Sequence, residues 1–330
     1  MRSLGQWMSG AVFALAVGAA LPAVADAREW RGWNIHPADY PVSIGMEEFA
    51  RLIEQGSNGR LTAKVYHGGV LGDQPDAIEQ VRLGAIDWAV FNLGPLGQIS
   101  PEANVVSLPF IFKSVDAMHE VMDGPLGDEI AAGLAGKDLV ALGWYDSGAR
   151  SFYDTKHPIQ TPDDVKGLKF RVMNNDLFVG MVDAMGGNAT PMPYGEVYQA
   201  LKTGVIDGAE NNYPSFESSG HYEAVKYYSN TEHLILPECL CINRTLWESL
   251  SPDDQALLKQ AGRQSAELQR KLWAEREKKS KEKVVAAGVV INEIGDKAPF
   301  QAAMEPVYVE FFKKYPQVEP LVRKIQAAQQ

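Results

Sequence analysis

Arginine suits the capture of a carboxylate, because its planar guanidinium presents a fork of donors that matches the two oxygens of the acid. Two arginines in this chain sit at the edge of an apolar run. Arg171 lies in Leu168-Lys169-Phe170-Arg171-Val172, a short strand pattern introduced by the polar turn Thr161-Pro162-Asp163-Asp164. Arg150 follows the apolar run Val140 to Trp144 by way of Tyr145-Asp146-Ser147-Gly148-Ala149. Beside a cleft, either would clamp an acid; on spacing alone, either serves equally well in an ordinary salt bridge. Other chemistries find little support. The remaining histidines besides His36, namely His67, His119, His157, His221 and His233, show no metal-ligand spacing. There is no Gly-x-Ser-x-Gly elbow and no glycine loop to cradle a phosphate. Carboxylates are plentiful, but their number does not identify a glycosidase pair. No cofactor and no metal are expected. Cys239 and Cys241 are two apart in the apolar stretch Leu234 to Ile242, where strand geometry disfavours a disulfide and favours buried free thiols.

The elements that must position these residues alternate. An amphipathic helix near Ser43 to Gln55, a strand near Leu61 to Tyr66, a helix near Pro75 to Leu83 and a strand near Ile86 to Phe91 argue for an α/β fold with a largely parallel sheet. Crossover units place the binding edge at the carboxyl ends of the strands. An internal echo joins Ala77-Ile78-Glu79-Gln80-Val81-Arg82-Leu83-Gly84-Ala85-Ile86-Asp87 to Val197-Tyr198-Gln199-Ala200-Leu201-Lys202-Thr203-Gly204-Val205-Ile206-Asp207. Each copy reads as a helix with a basic last turn, a glycine just past its end, and a strand opening with Ile-Asp. If the echo marks two similarly wound lobes, Asn92 and Glu210-Asn211-Asn212 lie at equivalent strand ends and look into one cleft. Ser251 to Gly288 reads as one long helix, with an N-cap, Pro at the first position and two acids in the first turn. Gly262 is a candidate break; a continuous helix would lie across both lobes and limit their opening. Trp33, Trp88 and Trp144 fall at or near strand ends, where core packing competes with lining a sugar site.

The N-terminus carries Arg2, an apolar run from Ala11 to Leu21, and small residues at Ala23-Val24-Ala25 and Ala25-Asp26-Ala27, the pattern of a cleaved secretory signal peptide. The apolar run is short for a membrane anchor. Export to the periplasm, with cleavage near Ala25 or Ala27, is therefore expected. The chain holds 31 basic and 42 acidic residues, a net −11, and loss of residues 1–25 removes one arginine and no acid, leaving −12. That excludes nucleic acid as a natural partner and requires any anion site to be built from local positive groups. About 305 mature residues approach the limit of one core, which favours two lobes.

Three ordered segments, Gly167-Leu168-Lys169-Phe170-Arg171-Val172, Thr190-Pro191-Met192-Pro193-Tyr194-Gly195-Glu196-Val197-Tyr198-Gln199-Ala200-Leu201 and Gly204-Val205-Ile206-Asp207-Gly208-Ala209-Glu210-Asn211, resemble the central signature of the DctP-type substrate-binding proteins of TRAP transporters. The resemblance extends through Leu71-Gly72-Asp73 and Gly84 to Asp87 and covers nearly the whole mature chain. It implies a two-lobed periplasmic-binding-protein-like fold: two mixed sheets flanked by helices, crossing hinge segments, and a long helix spanning both lobes. The implied division is 28–148 with 237–276 for one lobe and 149–236 with 277–330 for the other. It also implies that Arg171 pairs with the ligand carboxylate, that Arg150 is a second arginine near it, and that Asn174 and Asn211 are polar contacts around it. Tyr194 matches the aromatic position lining the pocket.

From the other lobe, Gln74 and Asn92 match positions that read the rest of the ligand; acids often stand there in relatives that bind sialic acid, which argues against that ligand. Asn34, His36 and Tyr40 fall where the family places ligand-facing groups. His36-Pro37-Ala38-Asp39-Tyr40-Pro41, together with Gly72 to Gln80, is most similar to members that bind hexuronates such as glucuronate and galacturonate. The expectation is thus a monomeric, non-enzymatic binding protein for a sugar acid that docks on the membrane subunits of a TRAP transporter. Other organic acids, such as a C4-dicarboxylate, a 2-oxo acid or an aldonate, and an exported sugar-acid enzyme remain alternatives.

Overall fold

The computed structural model describes residues 28–329, so the expected signal peptide and its cleavage positions lie outside the described residues. Among the described residues, eleven strands form two mixed sheets. The first is built from β1 (Trp30–Trp33), β2 (Ala63–Tyr66), β3 (Trp88–Asn92), β4 (Leu139–Tyr145) and β10 (Glu238–Asn243), in the order β2-β1-β3-β10-β4. The second takes β5 (Ala149–Asp154), β6 (Lys169–Val172), β7 (Asn188–Pro191), β8 (Gly208–Asn211), β9 (Tyr227–Ile235) and β11 (Val290–Glu293), in the order β11-β9-β5-β8-β6-β7. In each sheet the βαβ units are parallel and one inserted strand, β10 or β5, runs antiparallel to its neighbours.

The internal echo has a physical basis. Gly84 and Gly204 both take left-handed backbone, with φ of +74° and +72°, and end their helices. The aspartate that follows then ties off the neighbouring parallel strand in the same way in each sheet. The Asp87 carboxylate accepts from the Arg31 N–H at 2.7 Å and its own N–H donates to the Arg31 carbonyl. The Asp207 carboxylate accepts from the Lys169 N–H at 2.9 Å, and its N–H donates to the Lys169 carbonyl. Ile-Asp therefore precedes each strand rather than opening it, since β3 begins at Trp88 and β8 at Gly208.

The chain passes between the sheets through 146–148, from β4 to β5, and returns through Leu236-Pro237, from β9 to β10. Because β10 pairs with β4 and β9 with β5, the two passages run side by side. The long helix Pro252–Ala286 braces them. Gln269, fully buried, donates to the Asp146 carbonyl and accepts from the Asp146 N–H, both at 2.8 Å. The helix packs on Pro41–Gly56 and β4 at one end and on Tyr213–Ser218 at the other, where Arg276 and Lys283 both pair with Glu217. Its start is capped by Ser251 and its end by Gly288 at φ +93°. The last helix, Glu319–Ala327, returns to pack on Pro125–Ala135 beside the first sheet.

Gly262 does not break the long helix, which runs unbroken for 35 residues, about 52 Å. The glycine is there for proximity: a Cβ would run into the Leu142 carbonyl of β4. Gly262→Ala is therefore expected to destabilise by about 1 kcal/mol, since an overpacking cost of about 1–3 kcal/mol exceeds the gain of about 1 kcal/mol in helix propensity. A lower melting temperature checks this. Trp33, Trp88 and Trp144 are core residues, and Cys239 and Cys241 are buried, unpaired thiols on β10. Among the described residues, no helix is long and apolar enough to cross a membrane.

Candidate functional site

A cleft opens between the two sheets at the carboxyl ends of β3, β6 and β8. Its walls bring together all eight sequence-predicted positions. His36, Gln74 and Asn92 come from the first sheet's side; Arg150, Arg171, Asn174, Tyr194 and Asn211 come from the second. Arg171 is the third of the four residues of β6. Arg150 stands near the start of β5, and because β5 runs antiparallel to β8 this start lies beside the end of β8.

The two arginines are not equivalent. Arg150 forms the intramolecular salt bridge that its spacing also allowed: Nε and Nη2 donate to the Glu210 carboxylate at 2.6 and 2.9 Å, Nη2 to the Glu210 carbonyl, and Nη1 to Asn211 Oδ1 at 2.6 Å. Burial alone would push the Glu210 carboxyl up, but Arg150 and His233 hold it down at about 2. Among the described residues Arg171 donates Nε and Nη2 only to the Met192 carbonyl, at 3.0 and 2.8 Å. Among the described residues no carboxylate forms an ion pair with it, and burial pulls its pKa down. Arg150, Arg171 and Glu210 are all buried, so this end of the cleft holds one positive charge that the protein does not balance.

The other sequence-predicted groups are amides and rings. Asn92 caps the short helix Leu93–Leu96 by accepting from the Gly94 N–H, and its carbonyl accepts from Gln74 Nε2 at 2.9 Å. Asn174 follows β6; its neighbour Asn175 reaches across to the Gly94 carbonyl and Asn104 Oδ1, both at 2.7 Å. Tyr194 donates to the Ser215 carbonyl and presents its ring edge-on to His36, 6.0 Å between centroids. His36 stacks on Tyr40 at 3.8 Å, and its Nδ1 is buried with no hydrogen-bond partner. Tyr40 itself bonds Ser215 Oγ at 2.8 Å behind that stack, and Asn34 braces the turn through Ser43 and the His36 N–H. Neither Asn34 nor Tyr40 lines the cleft, so the expectation that they face a ligand is corrected: both hold His36 in place.

Burial, reinforced by Arg150, lowers the His36 pKa to about 3, and burial lowers that of His221 to about 3 as well. Both rings are neutral in the folded protein at pH 7. Their contribution to stability is therefore present above the unfolded value near 6.5 and lost as pH falls from there towards 3. A melting temperature that drops between pH 6.5 and 4, and drops less in His36→Gln, is the expected result.

Three carboxylates were not given roles from the sequence: Asp73, which lines the cleft beside Gln74, Glu210 and Glu238. Glu210 holds Arg150, and Glu238 is buried in the cleft wall at the start of β10. The available signal for Glu238 is that it is the single charged residue in the run Leu234 to Ile242. Ser147 and Ser215 also line the cleft. Among the described residues, no group of three or more His, Cys, Asp or Glu side chains is placed to hold a metal.

Residues 34–315 match the family described as bacterial extracellular solute-binding protein, family 7, the DctP family. The chain belongs to this family. A solute-binding protein from Chromohalobacter salexigens is 57% identical over 97% of this chain and 96% of its own. A crystal structure of a TRAP periplasmic solute-binding protein from the same organism, with bound D-glucuronate, is 60% identical with a TM-score of 0.90, covering 91% of this chain and 100% of that one. A second, from a Sulfitobacter species with bound β-D-galacturonate, is 56% identical with a TM-score of 0.89 over 91% and 100%. This solute-binding protein therefore has the two-sheet α/β architecture of the TRAP receptors, in a family of extracellular proteins that capture solutes rather than transform them.

Proposed function

We propose that this TRAP solute-binding protein captures a hexuronate, such as D-glucuronate or D-galacturonate. Arg171 grips the carboxylate, Arg150 and Asn211 support it, and Gln74, Asn92 and His36 read the hydroxyls from the opposite wall. The observation that carries this reading is the buried charge of Arg171, with which no carboxylate of the described residues forms an ion pair, in a cleft that also offers amides, hydroxyls, rings and the carboxyls of Asp73 and Glu238. An unpaired buried cation is costly, and a monoanionic ligand with several hydroxyls supplies both its counter-charge and partners for the amides. The two lobes are residues 28–148 with 237–276 and residues 149–236 with 277–330, hinged at the two crossing segments. The closed form is favoured only to the extent that the ligand binds it more tightly than the open one. The mature protein, cleaved near Ala25 or Ala27, acts as a periplasmic monomer that presents its ligand to the membrane subunits of a TRAP transporter, without catalysis.

A thermal-shift panel tests the ligand. At 100 times Kd a ligand adds about 2.7 kcal/mol, a rise of several degrees. Hexuronates raise the melting temperature and succinate does not; the reverse ranking rejects the hexuronate in favour of a dicarboxylate. Recovery of unaltered hexuronate after prolonged incubation is expected, and turnover would replace the receptor reading with an enzyme.

A further inference from the structure

We infer that Glu238 is the cleft's acceptor for sugar hydroxyls and the residue that makes it prefer polyhydroxylated acids to plain ones. The inference rests on the sugar-acid reading above and assigns the end of the cleft that reading leaves least defined. β10 begins at Glu238, which pairs in register with Asn92 of β3 on one side and Tyr145 of β4 on the other. Residues directly opposite in an antiparallel pair project to the same face, so Glu238 and Asn92 form one polar patch on the cleft wall.

The fold supplies no structural need for a carboxylate there. The flanking residues Leu236, Cys239, Leu240 and Cys241 are all buried, and an apolar side chain at 238 would continue that packing. Among the described residues no cation forms an ion pair with Glu238, because the nearby Arg150 guanidinium is committed to Glu210 and Asn211. The groups that act on it are the Asn92 amide, the Ser147 hydroxyl and Arg150, which favour the ionised form, and Asp146 of the crossing segment, which opposes it; Tyr40 lies close enough to sense its charge. Burial outweighs the helpful groups and pushes its pKa up to about 7, which a structural ion pair would have prevented. A carboxylate has about four lone-pair sites. Asn92 and Ser147 occupy two at most, which leaves acceptor capacity on a side chain that lines the cleft.

The test compares D-glucuronate with tetrahydropyran-2-carboxylate, which keeps the ring and the acid but lacks the hydroxyls, by titration calorimetry on the wild-type protein, Glu238→Gln and Glu238→Leu. Wild type is expected to prefer glucuronate by at least 100-fold. Glu238→Leu should lose 30-fold or more of its glucuronate affinity and less than 3-fold of its affinity for the plain acid, and should melt no lower than wild type when unliganded. Glu238→Gln, nearly isosteric and with one acceptor oxygen left, should fall between the two. An undiminished preference for glucuronate in Glu238→Gln and Glu238→Leu would overturn the inference, as would equal losses for both acids. Failure of wild type to bind glucuronate would instead overturn the hexuronate reading itself.

Discussion

Replacing Arg171 with alanine lowers the affinity for D-glucuronate by more than 100-fold and leaves the melting temperature of the unliganded protein unchanged or higher. The two halves of this result share one cause. In the unliganded protein Arg171 is a buried cation whose hydrogen-bond partner among the described residues is the Met192 carbonyl, so its removal relieves a desolvation cost without breaking an ion pair there. In the complex it is the counter-charge of the acid, and removing one partner of a buried charged pair costs roughly 3 kcal/mol or more, over 100-fold in Kd. Arg171→Lys keeps the charge but loses the fork, and is expected to fall between wild type and alanine. Calorimetric titration beside thermal denaturation separates the two effects. A loss of only a few-fold, or a fall of many degrees in the unliganded melting temperature, would assign Arg171 to the scaffold.

Glu210→Ala produces the opposite pattern, a loss of about 3–5 kcal/mol of folding stability, because it strands Arg150 as a second buried and unbalanced cation. Three of the four hydrogen bonds that hold Arg150 are made by Glu210, two through its carboxylate. Urea denaturation at pH 7 measures the loss. The pH dependence identifies its origin. Glu210 is held at about 2, below its unfolded value near 4.5, so its contribution is present above 4.5 and lost as pH falls through 2. Stability differences between wild type and Glu210→Ala should therefore narrow in acid.

The sequence made legible what depends on neighbours in the chain. The turn Thr161 to Asp164 and the strand around Arg171 are local patterns, and the glycines at 84 and 204 end their helices for a local reason, the left-handed backbone that only they adopt freely. The long helix was readable from its cap and first turn. What stayed hidden depends on contacts between distant segments. Glu210 is 60 residues from Arg150 in the chain, and only the antiparallel pairing of β5 with β8 brings them together. Gly262 reads as a helix breaker until β4 is seen against it. Asn34 and Tyr40 sit in the same short segment as His36, and the direction of each side chain is set by Ser43 and Ser215 rather than by that segment.

The most direct measurement is a crystal structure of this protein with D-glucuronate. The account predicts the carboxylate within hydrogen-bond distance of the Arg171 guanidinium, with the ring hydroxyls turned towards Asn92, His36 and Glu238. A carboxylate lodged at the Asn92 and Glu238 wall, with hydroxyls against Arg171, would contradict it.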